Sequence, residues 1–500
     1  MPHNVDDGVP KVLVHGIFAW GHDSPILGSC WPVEARAAGS GWIVSEHTGS
    51  VSSAHDRACE LFYELFGGTI DYGAEHAATY GHRRFGARLE GKWPRWSAER
   101  PVDLIGHSYG GNVCLDLVLK LASDWFGVGS DVRWVRALVT LSAPLNGTTL
   151  VHLLGLSTED QRSIRRCSAI HIGGIVLATW WWLGIHVPIV RRLYDFRIGQ
   201  WEDHRSLRSI WTLEHAAVAS MDNAFHDLAP RHRWAHNPST AADLSGLYLF
   251  SISSQIGERR SLRLPGLGLL LPITIPRHRR NALWQLLSLL LHAQSLWHRM
   301  RAWWTGVLPY AGADSAMWAA SDGVVNVHSQ GSPLGRRDEA RRDGDGDGDG
   351  DGDGDGDGDG GRSGGRRVGG RRGEGARAVA LLPPAGPGLV ASELSRGIWY
   401  RRFVERAHQE SKSLQLLEEM RAVLDALPPP PPAAAPVPAP PPAIPPSVPV
   451  PSVPARSVPA LPPTDSAYER ACEADTALPD GDGGGSGEST STGESLLPTS

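Results

Sequence analysis

The sequence predicts an α/β fold in which a mostly parallel central sheet is covered by helices on both faces. Three observations carry that expectation. Short apolar runs recur along the chain and end in small turn residues. They are separated by stretches long enough to hold helical crossovers. One of them, Val102 to Ile105, leads through a glycine-flanked serine directly into apolar residues at helical spacing. Strands buried on both faces read as continuous apolar runs rather than as alternating ones, and alternation of such strands with helices signals a parallel sheet.

Taken in order, Lys11 to Val14 is the first strand and ends at His15-Gly16. Val102 to Ile105 is the second; it runs into Gly106-His107-Ser108-Tyr109-Gly110, after which Gly111 to Leu119 has helical periodicity. Val135 to Leu141 is the third and ends at Ser142-Ala143-Pro144, and Leu247 to Ile252 is the fourth. The chain has 500 residues, but the Asp-Gly run Asp343 to Gly360 contains no apolar side chain, and Pro428 to Pro463 holds 18 of the 38 prolines. Neither can bury a core. The expected organisation is one large domain over 1–334, a low-complexity disordered insertion over 335–393, a short return of the domain over 394–427, and a Pro-rich, acidic disordered tail over 428–500.

The net charge of -6 comes from the segments expected to stay unfolded: without the nine aspartates of the repeat and the net -7 of residues 464–500, the remainder carries +10. Its arginines are scattered and not interleaved with aromatics, which argues against nucleic acid as a partner. Five cysteines at irregular spacings, with no CxxC pair, exclude a disulfide framework or a cysteine-based zinc site as the organising feature. The start MPHNVDDGVP has no basic region followed by an apolar one, so the default expectation is a cytoplasmic protein. Ala169 to Val190 is long and apolar enough to cross a bilayer, but it contains His171, His186, three glycines and Pro188. It reads as a buried or interfacial helix in preference to a span. Leu264 to Ile275 is too short to span.

Gly106-His107-Ser108-Tyr109-Gly110 is a G-x-S-x-G between a strand and a helix, the setting of a nucleophile elbow in the α/β-hydrolase fold. Such a serine needs an oxyanion hole made by the amide of the next residue, Tyr109, and a second amide after an early strand, here Ile17 in the His15-Gly16-Ile17 loop. Asp322, in Ser321-Asp322-Gly323-Val324-Val325-Asn326, follows Ser108 in the chain order Ser, acid, His and is the candidate acid. Asp56, His76 and His82, with His215 more remote, form a zinc-type donor set. His76 and His82 are six residues apart across a glycine, so a loop rather than one straight helix would have to join them.

Several stretches together resemble one family. They are His15-Gly16 with Trp20-Gly21, Asp56-Arg57-Ala58-Cys59-Glu60, the run Gly67 to Ala78, Gly81-His82, Arg84-Phe85-Gly86, Ala143-Pro144 with Gly147-Thr148-Thr149-Leu150, Tyr194-Asp195-Phe196 with Gln200-Trp201, and Asp322 to Asn326. From Val12 to Asn326 the chain is similar to the thermoalkaliphilic bacterial triacylglycerol lipases, a group that includes the staphylococcal-type lipases. These are α/β-hydrolases with an extra zinc-bearing subdomain. The resemblance implies Ser108 as nucleophile, Asp322 as triad acid, and Ile17 and Tyr109 as oxyanion amides. It implies a structural Zn2+ on Asp56, His76 and His82, with His215 standing where the family has its fourth ligand, an aspartate, and Glu214 beside it. Ala169 to Val190 falls where the family has its lid helix.

After Leu334 the pattern breaks. The family's catalytic histidine sits in an Asp-His pair shortly after a Gly-apolar-Trp turn; here Gly397-Ile398-Trp399 matches the turn and His408 follows Ala407. His408 is the candidate base. His328 lies only six residues after Asp322, too close for a separate strand and loop to return it over Ser108. The family's Ca2+ site is incomplete: Glu410 matches one ligand, but the Asp-Pro pair is absent. The reading is a serine ester hydrolase acting on lipid or ester substrates, with transient contact to a membrane or lipid-droplet surface through Trp180 to Trp182. Two alternatives stand beside it: a soluble carboxylesterase or acyltransferase, and a catalytically dead lipid-binding or scaffold protein whose Pro-rich tail binds SH3- or WW-type domains.

Overall fold

In the computed structural model, strands form where apolar runs meet turn residues. The residues described are 8–19, 21, 29–37, 40–201, 207–237, 244–256, 258–263, 270–275, 282–305, 318, 321–333, 379–381, 394–404 and 408–429. They fall within the unit Met1–Ala435.

Among them, seven strands make the central sheet: β1 (Lys11–Val14), β2 (Trp42–Val44), β5 (Val102–His107), β6 (Val135–Leu141), β7 (Tyr248–Ser254), β10 (Val379–Leu381) and β11 (Trp399–Val404). Their spatial order is β10-β11-β7-β6-β5-β1-β2, and every pairing is parallel. β5 and β6 are buried throughout, as continuous apolar runs require. Neighbouring residues on a strand face opposite sides. Val12, Leu104, Leu138 and Leu249 pack with the helices Ala54–Phe66 and Tyr109–Ala122 on one face. Leu13, Ile105, Val139 and Phe250 pack with Leu416, Leu417 and Met420 of the helix Leu414–Asp425 on the other. Helices therefore cover both faces, as expected.

Beside this sheet lie two antiparallel pairs. β3 (Gly68–Asp71) and β4 (Phe85–Leu89) bracket the short helix Ala74–Tyr80, and β8 (Glu258–Arg263) pairs with β9 (Leu270–Ile275).

The return of the chain after the insertion is integral to the sheet. β11 pairs with β7 over six residues, and the helix behind it is tied down where Arg136 Nη2 donates to the Leu424 carbonyl at 2.9 Å and Lys11 meets Asp425 at 2.6 Å. One expectation needs correction. Residues 335–393 were assigned entirely to a disordered insertion, yet Val379–Leu381 form β10 on the sheet edge. The three residues are apolar, and β11 offers them an open row of backbone groups. A long helix, Ala282–Thr305, and the helix Ala169–His186 also flank the sheet region.

Candidate active site

Ser108 sits at the turn between β5 and the helix Tyr109–Ala122 with φ 55° and ψ -131°, a strained backbone for a non-glycine residue. The strain is held because the turn has no room to relax: a Cβ on Gly110 would run into the Val14 carbonyl of the adjacent strand. The hydroxyl is thereby presented above the ends of the strands.

His408 begins a short 3-10 turn a few residues beyond β11. Its Nε2 lies 2.8 Å from Ser108 Oγ and its Nδ1 2.8 Å from Asp322 Oδ2. Its own amide donates to the Asp322 carbonyl at 3.1 Å, so the backbone as well as the ring is registered on the acid loop. All three residues are buried. Asp322 Oδ1 accepts the amides of Val324 and Val325 at 3.0 and 2.8 Å. Its Oδ2 also accepts from Ser254 Oγ at 2.8 Å and Gln330 Nε2 at 3.2 Å. A hydroxyl whose proton has an imidazole acceptor, with that imidazole oriented by a carboxylate, is the arrangement nucleophilic catalysis requires.

Sequence reasoning missed three residues around this constellation. Ser254 ends β7, Gln330 lies on the turn Val327–Gln330, and His107 Nε2 faces the His408 carbonyl at 3.1 Å. Burial and the adjacent His408 push the His107 pKa well below the ordinary range, so it is neutral and able to donate there. None of these has a motif; only the ends of β5 and β7 signal them.

Ser108 and His408 line a cavity of about 500 Å³ together with Ile17, Phe18, Thr148, Val151 and Phe225. Ile17 thus borders the same space as the serine hydroxyl, and Tyr109 follows Ser108 at the start of the helix. The loop carrying Ile17 is pinned from behind, where Arg57 Nη2 donates to the His15 carbonyl at 2.6 Å. Tyr109 is locked by its hydroxyl, which donates to Asp227 at 2.7 Å.

A second constellation gathers around the first turn of the helix Ala54–Phe66. Asp56 is in the first turn of the helix capped by Ser53, and His76 is on the helix Ala74–Tyr80. Gly81, at φ 78°, ends that helix in the left-handed conformation and turns the chain back, so the His76 and His82 rings come within 5.2 Å of each other. The fourth donor beside them is Asp222, and the ligand atoms of Asp56, His76, His82 and Asp222 all lie within 4.8 Å of one another.

His215 does not join this group: it caps the helix Ala216–Ala219, where its Nδ1 accepts the Ala217 amide at 3.1 Å, with its ring against Trp201. The expectation for His215 is therefore corrected to Asp222. Position in the chain favoured His215, and an aspartate seven residues on, of the family's own ligand type, was the signal available.

Asp56 Oδ1, His76 Nε2, His82 Nε2 and Asp222 Oδ2 are buried without a hydrogen-bond partner. Burial would lower both imidazole pKa values, but Asp222 and Asp56 outweigh it and raise His76 to about 9 and His82 above its usual value. Two imidazoles and two carboxylates converging with unsatisfied atoms fit a tetrahedral divalent cation.

Among the described residues one helix, Ala169–His186, is long and apolar enough to cross a membrane, and only 22% of it is buried. Residues 430–500, including most of the Pro-rich segment, lie outside the described residues.

A family model for a lipase-like C-terminal domain matches residues 8–124. "Lipase 2" of Staphylococcus aureus (strain MRSA252) is 42% identical over 186 residues, covering 31% of this chain and 26% of that protein. The chain thus spans about a quarter of the length of the curated relatives it matches. Among solved structures, lipase 1 from Pelosinus fermentans matches with a TM-score of 0.53 at 20% identity, over 84% of this chain and 99% of that one. The Staphylococcus hyicus lipase matches with a TM-score of 0.51 at 18% identity, over 85% and 94%. At those identities the solved structures speak to the fold alone.

Proposed function

We propose that this chain, a relative of the staphylococcal-type lipases, is a serine carboxylic ester hydrolase acting on glyceride or similar lipid esters. The observation that carries the reading is the 2.8 Å contact of His408 Nε2 with Ser108 Oγ while Nδ1 faces Asp322. Ser108 Oγ attacks the acyl carbonyl as His408 takes its proton, and the new C–O bond gives a tetrahedral oxyanion. The amides of Ile17 and Tyr109 stabilise that charge. His408 returns the proton to the departing alcohol as the intermediate collapses to an acyl-serine. Water, deprotonated by the same imidazole, then releases the carboxylic acid. Asp322 keeps the ring in the tautomer that leaves Nε2 free to accept, and Ser254 and Gln330 hold Asp322.

Asp56, His76, His82 and Asp222 would hold a zinc ion. With four protein donors it has no open position, so its contribution is to hold the β3–β4 unit on the core. The helix Ala169–His186 acts as a lid. Its inner face, including Ile170, Leu177 and Trp181, lines an apolar cavity that shares Phe225 with the Ser108 cavity, and its outer face exposes Ile172, Val176 and Trp182.

Turnover of p-nitrophenyl and glyceride esters by the full chain tests the reading, with Ser108→Ala as control. Undiminished turnover in Ser108→Ala overturns it. A rate jump when tributyrin passes its solubility limit assigns a lipase, whereas a hyperbolic dependence through that limit assigns a soluble esterase.

A further inference from the structure

The chain is poor in lysine: of 48 basic residues only Lys11, Lys92, Lys120 and Lys412 are not arginine. Three of the four are paired. Lys11 meets Asp425 at 2.6 Å, Lys92 meets Glu46 at 2.7 Å and Glu64 at 2.9 Å, and Lys120 donates to His55 Nδ1 at 2.8 Å while lying over the Trp125 ring. Lys412 is different. It is partly buried on the wall of the Ser108 cavity and has no hydrogen bond or ion pair with any described residue. Burial holds its ammonium below the ordinary lysine pKa, with Cys30 opposing the shift. Burial, His408 and Lys412 together depress the His107 pKa, so the field of the ammonium reaches the imidazole beside His408.

The rest of the wall leaves that charge unopposed. No aspartate or glutamate is among the described residues that line the cavity, and Glu410, on the same turn, is exposed and outside it. The Asp322 carboxylate is already occupied by His408, Ser254, Gln330 and two amides. An ammonium stripped of part of its water and left without a counter-ion is costly, so it favours a ligand that brings the negative charge with it.

The turn decides which part of an ester meets the amine. His408 begins the 3-10 turn His408–Lys412, and at about 2 Å of rise per residue Lys412 stands about 8 Å along it. The proton that His408 returns goes to the departing alcohol, so the alcohol lies against this turn. Val151, Leu154, Phe225 and Leu228 offer the acyl chain apolar surface in the same cavity. A volume of about 500 Å³ suits one acyl chain with a compact alcohol. A phosphate monoester would bring close to two charges to one ammonium, whereas a carboxylate matches it one for one.

We infer that the Ser108 cavity accepts esters whose alcohol portion carries a carboxylate, and that Lys412 pairs with that carboxylate. The inference rests on the ester-hydrolase reading. The acyl C–O bond breaks: the acyl group passes to Ser108 and then to water, and the alcohol leaves with the proton from His408, its carboxylate unchanged.

The test compares meta-butyryloxybenzoate with meta-butyryloxybenzamide, two dissolved esters of one shape that differ in charge. With the full chain, kcat/KM for the benzoate is expected to exceed that for the benzamide by about tenfold, mostly through KM, as a hydrogen bond to a charged group would give. Lys412→Met should bring the ratio to about one, Lys412→Arg should keep most of it, and Lys412→Glu should invert it. Because the readout is a ratio within one protein, a loss of folded enzyme cancels. A ratio near one in the parent overturns the inference, as does a preference that survives Lys412→Met. A Lys412-dependent preference for butyryl-glycerol phosphate over monobutyrin, with none for the benzoate, also overturns it and assigns the amine to phosphate. Calorimetry on the Ser108→Ala protein separates this from the hydrolase reading: meta-hydroxybenzoate should bind about tenfold tighter than meta-hydroxybenzamide, a difference lost when Lys412→Met is added. That binding pattern with no turnover of either ester by the parent would overturn the hydrolase reading alone.

Discussion

Two buried polar clusters flank the same pair of helices, and they are completed in different ways. Around Ser108, each named polar atom meets a protein partner: Ser108 Oγ and both nitrogens of His408 are paired, and Asp322 accepts from two amides, Ser254, Gln330 and His408. Around Asp56, four buried donor and acceptor atoms converge without hydrogen bonds, and the imidazole pKa values rise toward the charged form. The first cluster is closed by protein alone. The second sets two imidazoles against two carboxylates, with His76 Nε2 3.2 Å from Asp56 Oδ1 and His82 Nε2 3.4 Å from Asp222 Oδ2, an arrangement that a divalent cation at its centre would complete.

The largest effects should come from breaking the closed cluster. Ser108→Ala and His408→Ala are each expected to lower kcat for p-nitrophenyl esters by about a thousandfold or more, and the double variant should be no worse than either, because the two act as a unit. His328→Ala should keep near-normal activity. Full activity in His408→Ala would remove the base from the scheme.

The open cluster should respond in stability instead. Metal analysis of the full chain is expected to give one zinc per chain, lost in Asp222→Ala and retained in His215→Ala. Chelation should lower the melting temperature of the parent by roughly 10 °C, on the scale of a few kcal/mol for a domain of this size, and leave Asp222→Ala unmoved. Zinc retained in Asp222→Ala but lost in His215→Ala would restore the expectation from sequence.

A smaller effect sharpens the closed cluster. Ser254→Ala removes one of several bonds to the Asp322 carboxylate, so kcat should fall by about tenfold with KM unchanged, in keeping with about 1.5 kcal/mol for a hydrogen bond to a charged group. A change in KM alone would mean that Ser254 shapes the cavity rather than positioning the acid.

The smallest effect supplies a baseline from an imidazole outside both clusters. Burial lowers the His152 pKa to about 4. Its unfolded form takes up a proton near 6.5 while the folded form does not, so the stability it contributes is complete above 6.5 and is lost as pH falls toward 4. The slope is at most about 1.4 kcal/mol per pH unit. Denaturant midpoints of His152→Gln between those pH values should fall less steeply than those of the parent; parallel curves would show that His152 is protonated in the folded state.

What could be read from the residues follows from how local the cause is. β1, β5 and β6 are continuous apolar runs closed by small residues, and both their ends and their parallel pairing follow from that pattern. Ser108 carries its own context of strand, glycines and helix. Asp222 was missed because ligand choice depends on which side chain a capped turn leaves free, and the His215 cap is a matter of a few angstroms. β10 was missed because three apolar residues inside a long polar stretch gain strand character only from the β11 edge beside them. The Ala282–Thr305 helix was missed because apolar residues run almost all round it, so no single stripe stands out in the sequence.

The pairing of β11 with β7 has a consequence for the timing of synthesis. Ser108 and His408 are 300 residues apart, and His408 is carried just beyond β11. At about 5–20 residues per second, the serine emerges from the ribosome roughly 15–60 s before its proton acceptor. From the emergence of β7 until β11 follows it, β7 lacks its neighbour on that side, and on the proposed reading Ser108 lacks its base, so the nascent chain is expected to be chemically silent until β11 is laid down.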